Sequence, residues 1–84
     1  MKTKTILFEL LVDGVPYEVR ATPFQFNDDT RFRVSYNGGP MFIFVWDQQI
    51  KQLVAIGDGT AAIPDNLEVA ISQKLEPMSV ARAS

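Results

Sequence analysis

The sequence predicts an α+β domain, a five-stranded antiparallel β-meander in the order 1-2-3-4-5 coiled around one C-terminal α-helix. Three observations lead to it. Tight-turn signals at Asp13–Gly14 and around Asn37–Gly38–Gly39 sit between runs rich in β-branched and aromatic residues. From Ile6 to Ile56 the apolar residues follow strand periodicity rather than helical periodicity. Only the later stretch "IPDNLEVAISQKLE" repeats apolar residues at helical spacing.

Eighty-four residues make one domain, expected over 1–78 with 79–84 as a flexible tail. The composition, 46% hydrophobic and 21% charged, suits a small globular core rather than a disordered chain. There is no cysteine and no histidine, which removes disulfides, the usual zinc and haem ligands, and Cys–His or Ser–His catalysis. No motif names a chemistry, so the expectation is a non-enzymatic module with no catalytic residue, cofactor or metal. A net charge of −2 argues against strong non-specific binding to nucleic acid.

The first segment, "MKTKTILFELLVDG", places two lysines before an apolar run, as a signal peptide would. The run is short, contains Glu9 and ends at Asp13–Gly14, so a strand is the better reading and a cytoplasmic location is expected. No stretch approaches the ~20 apolar residues that span a bilayer, so no membrane partner is expected. A type I′ turn at Asp13–Gly14 sets Val12, Leu10, Phe8 and Ile6 opposite Val15, Tyr17, Val19 and Ala21 on one face. Leu7, Glu9, Leu11, Glu18 and Arg20 take the other. The next segment, "TPFQFNDDTRFRV", meets Pro23, which predicts an edge, a bulge or a loop there. Asn27 to Thr30 form a polar turn.

In the third strand Phe32, Val34 and Tyr36 alternate with Arg31, Arg33 and Ser35. A two-residue turn at Asn37–Gly38 or Gly38–Gly39 then adds Met41, Ile43 and Val45 to the core face, and Phe42, Phe44 and Trp46 to the face of the arginines. A three-residue turn would reverse this assignment. The fifth strand, 50–56, is expected to send Ile50, Val54 and Ile56 to the core and Lys51, Leu53 and Ala55 outward. The helix carries Ile63, Leu67, Ala70, Ile71 and Leu75 as its apolar stripe. Asp65 and Glu68 fit a capping box, Lys74 suits the C-terminal dipole, and Pro77 is the expected stop.

A sheet of five strands spans ~19 Å and one helix ~10–12 Å, so the sheet must twist and coil to be covered even on one side. The reverse face then poses the functional question. Phe42, Phe44, Trp46, Arg31 and Arg33 gather there, and Phe24 and Phe26 join them if the second strand runs on without a bulge. So large an apolar patch calls for a cover. The preferred cover is a second copy, a homodimer using one self-complementary patch; another protein partner is a variant of the same reading. The face could also close on itself, with the arginines lying over the rings. A third reading stacks single-stranded nucleic acid on the rings. The meander-plus-helix outline resembles in shape the single-stranded-DNA-binding transcriptional coactivators and the whirly proteins, with none of their sequence motifs.

Other chemistry is weaker. Glu9 and Glu18 should face each other across the first hairpin, an arrangement open to acid–base work, though a solvated surface ladder with Arg20 accounts for it. "GDGT" at 57–60 lacks the lysine of a phosphate loop and the ligand spacing of a calcium loop. Asp28 and Asp29 read as turn residues, Ser35 has no histidine to activate it, and Lys51 faces solvent.

Overall fold

The computed structural model describes residues 4–27 and 29–83, with side chains as far as Pro77. Residues 1–3, Asp28 of the predicted turn and Ser84 of the predicted tail lie outside the described residues. Strands β1 (Ile6–Val12), β2 (Val15–Phe26), β3 (Asp29–Tyr36), β4 (Met41–Asp47) and β5 (Gln52–Ile56) form one antiparallel sheet in the order β1-β2-β3-β4-β5. A short 3-10 turn, Thr60–Ala62, leads into helix α1, Asp65–Ala83. The α+β meander with a single C-terminal helix is therefore observed.

The first hairpin has the expected register, from Val12↔Val15 to Ile6↔Ala21. Asp13 and Gly14 both have positive φ, 53° and 79°, as a type I′ turn requires. Past Ala21, of the three expected readings the edge is the one observed. Strand β2 continues through Pro23 to Phe26 with consecutive partners on β3, so it has neither a bulge nor a loop there. Ladder hydrogen bonds alternate along a strand, and counting from Val12↔Val15 aims the nitrogen of residue 23 toward β1's side. Strand β1 begins only at Ile6, opposite Ala21, so proline at 23 removes no bond.

The decisive correction lies between β3 and β4. The tight turn forms, with Asn37 and Gly38 at φ 50° and 71° and the Gly39 N–H donating to the Tyr36 carbonyl at 2.9 Å. Pro40 then stands outside the ladder, and Met41 faces Ser35. This extra residue shifts the register by one, the same reversal that a three-residue turn would produce. Phe42 and Phe44 now pair with Val34 and Phe32 on the core face, and Trp46 follows them. Met41, Ile43 and Val45, predicted as core, face the other way.

The pairing Val45↔Val54 carries the inversion into β5. Leu53 is fully buried and Ala55 packs against the core, whereas Val54 and Ile56 share the reverse face. Ile50, expected in the core, sits in an exposed turn anchored by Asp47. The Asp47 carboxylate accepts the Gln49 N–H at 2.9 Å, and its carbonyl accepts the Lys51 N–H at 2.7 Å. Lys51 takes φ 56° there, so β5 starts at Gln52.

Ile63, Leu67, Ile71 and Leu75 of the helical segment are buried against Val19, Ala21, Phe32, Val34, Phe42, Phe44 and Leu53. The capping box does not form. The Glu68 N–H bonds to the Pro64 carbonyl at 3.0 Å, making Pro64 the cap and leaving Glu68 one position too far along. Its carboxylate accepts the Ala55 N–H at 3.0 Å instead. One turn later the Ser72 hydroxyl accepts the buried Leu53 N–H at 3.0 Å. The helix thus seals the outer edge of β5. Toward the other edge of the sheet, Asn66 donates to Asp13 at 2.9 Å, and the Lys74 ammonium lies 5.8 Å from the Phe8 ring. The sheet coils far enough for one helix to reach both sides.

Pro77 does not stop the helix, which runs on to Ala83. A proline removes the bond to the carbonyl four residues back, here Gln73, and Gln73 is exposed, so water can take that role. Residues 79–83 are accordingly helical in backbone where a tail was expected.

Asn37 holds both parts of the β3–β4 corner. It accepts the left-handed φ, and its Oδ1 accepts the Glu18 N–H at 2.9 Å while its own N–H donates to the Glu18 carbonyl at 2.8 Å. Asn37→Ala loses the side-chain bond and the left-handed tolerance, an expected cost of ~1–3 kcal/mol. In urea unfolding this should lower the midpoint at unchanged slope.

Candidate interaction surface

The face of the sheet away from α1 has no element covering it among the described residues. Its composition follows from the registers. Arg20, Thr22, Phe24 and Phe26 come from β2, and Asp29, Arg31, Arg33 and Ser35 from β3. Strand β4 contributes Met41, Ile43 and Val45, and β5 contributes Val54 and Ile56. Leu7, Glu9 and Leu11 complete it on β1.

Of the seven residues predicted to form the site, four lie on this face: Arg31, Arg33, Phe24 and Phe26. Phe42, Phe44 and Trp46 do not. Phe44 is 0% and Phe42 8% exposed, and Trp46 packs against the same cluster with its Nε1 donating to Gln48 at 2.8 Å. Phe42 also stacks on Tyr36 at a centroid distance of 6.2 Å. The cause is the one-residue slip at Pro40, which turned the aromatic side of β4 inward.

The remaining rings are each paired with a cation. Phe24 lies opposite Arg31 and Phe26 opposite Asp29, but the contacts run diagonally. The Arg33 guanidinium sits 4.0 Å from the Phe24 centroid, and that of Arg31 lies 4.3 Å from Phe26. Each contact contributes ~0.5–1 kcal/mol at an exposed site. Among the described residues the Arg31 Nε, shielded from solvent, has no hydrogen-bond partner.

Beside this pair runs an aliphatic strip the sequence reading assigned to the core. Ile43 pairs with Ile56 and Val45 with Val54, with Met41 at one end. Met41 is 59% and Ile56 41% exposed. The available signal was the alternation of "MFIFVWD" itself, which offers rings on one side and aliphatics on the other. Choosing between the sides required the register.

At the opposite margin, Glu9 pairs directly with Glu18 as expected. A cavity of about 300 Å³ opens beside them, lined among others by Leu7, Arg20 and Ser35. Among the described residues no group of three or more acidic side chains could hold a metal ion, and no helix is long and apolar enough to cross a membrane. No family model, curated protein or solved structure matches the chain.

Proposed function

We propose that the chain is a non-enzymatic, cytoplasmic interaction module that self-associates through the helix-free face of its sheet. The supporting observation is the uncovered strip of Met41, Ile43, Val45, Val54 and Ile56, framed by Arg31 and Arg33 lying on Phe26 and Phe24. A face of this kind gains from burial at ~25 cal/mol per Å². A second copy suits it because its charges are self-complementary. Glu9 and Glu18 lie toward β1 and the two arginines on β3, so a two-fold axis can set one group against the other. Nothing on this face favours the nucleic-acid reading. The rings meant to stack bases are enclosed, and the two that remain already carry guanidinium groups.

Light scattering tests this directly: the wild type is expected at twice the 9.4 kDa chain mass. The double variant Ile43→Glu, Val54→Lys places two solvated charges diagonally on the strip. They can neutralise each other in the free chain but are costly to bury against a partner. It should run as a folded monomer, whereas a wild type that is itself monomeric removes the proposal.

A further inference from the structure

The two edges of the sheet are treated differently. On β5 the outward N–H groups of Leu53 and Ala55 are taken up by Ser72 and Glu68. On β1, counting the alternation from Val12↔Val15 leaves the N–H and C=O of Leu7, Glu9 and Leu11 pointing away from β2. Among the described residues no side chain hydrogen-bonds to any backbone group of β1. Leu7 and Leu11 are 66% and 76% exposed, and Glu9 between them is exposed as well. An open, apolar edge of this length is a template for another strand.

The geometry points to β1 as the docking edge for an extended basic segment of a partner protein, added as a sixth strand. Side-chain chemistry identifies the occupant. Glu9 and Glu18 stand side by side, and the cavity they line opens beside the edge. A strand laid against β1 sets one residue opposite Glu9, where a lysine or arginine meets both carboxylates. The residues two positions before and after it fall opposite Leu7 and Leu11 and should be apolar. The recognised pattern is apolar-x-basic-x-apolar.

A second copy does not supply this pattern. Antiparallel pairing of β1 with itself about a two-fold axis matches only residues of the same face. Thr5 shares the face of Glu9, as its hydroxyl contact with Thr22 at 2.8 Å shows, which puts Lys4 on the other side. Pairing centred on Glu9 would bring four carboxylates together. The edge is thus guarded against its own copy and open to a basic strand.

The probe is a capped, fluorescein-labelled peptide, Thr-Val-Thr-Lys-Thr-Val-Thr, and its counterpart with a central Glu. Anisotropy titration should show saturable binding of the lysine peptide and ~tenfold or weaker binding of the glutamate one. Glu9→Lys should invert that preference, and this variant keeps the fold because it replaces a like-charge pair by an opposite one. Glu9→Pro, which removes both the carboxylate and an outward N–H but no bond to β2, should abolish binding with near-native circular dichroism. Equal affinity for the two peptides, or no binding, overturns the proposal.

Discussion

Phe44→Ala is expected to remove ~3–5 kcal/mol of stability, a large share of what a chain this small possesses. Phe44 is fully buried, paired with Phe32 on one side and Ala55 on the other, in one core cluster with the helix residues Leu67, Ile71 and Leu75. Truncation there loses the transfer free energy of the ring and opens a cavity that rigid neighbours on three strands cannot fill. A chain of 84 residues has a total stability of roughly 4–13 kcal/mol by the usual per-residue range. Its neighbour gives the control. Ile43→Ala, on the helix-free side, should cost ~1 kcal/mol or less in the free chain. Urea unfolding followed by circular dichroism reads both. A larger loss for Ile43 than for Phe44 would put the rings back on the outer face and undo the register described above.

Ser72→Ala should cost ~1–3 kcal/mol although it deletes a single oxygen. The serine is 2% exposed and its hydroxyl accepts the Leu53 N–H within the core. Removing the acceptor strands a buried amide that water cannot reach. The effect should be local as well as global. Amide hydrogen exchange at Leu53 should speed up in the variant by more than the global loss of stability requires. Unchanged relative protection at Leu53 would mean that β5's edge is held by something other than the helix. The same substitution begins to unseal an edge strand, so increased aggregation at high concentration is a second expected sign.

The parts of the fold that could be read from the sequence are those decided within a few residues. Asp13–Gly14 fixed the register of the first hairpin because only one two-residue turn places both residues at positive φ. The apolar stripe at Ile63, Leu67, Ile71 and Leu75 identified the helix and its buried side. Phe24, Phe26, Arg31 and Arg33 were assigned to the correct face once β2 proved continuous, since strand parity carries over any number of unbulged residues. The end of the helix was misread because Pro77 is a stop signal only where the lost bond cannot be replaced. Gln73 is exposed, and there it can. The capping box failed for a related reason: Glu68 had a better partner, the Ala55 amide, thirteen residues away and invisible to local pattern.

The sequence alone determined the number and order of the strands, the single helix, and the fact that β4 is apolar on both sides. Only the tertiary structure decided which of those sides is covered. A pleated strand with rings at 42, 44 and 46 and aliphatics at 41, 43 and 45 is locally indifferent to a half-turn. One unpaired proline reversed it, and the space beneath the helix accepts the larger side chains, whose burial removes ~150–250 Å² each from water. The smaller aliphatics were left outside, on the helix-free face of the sheet.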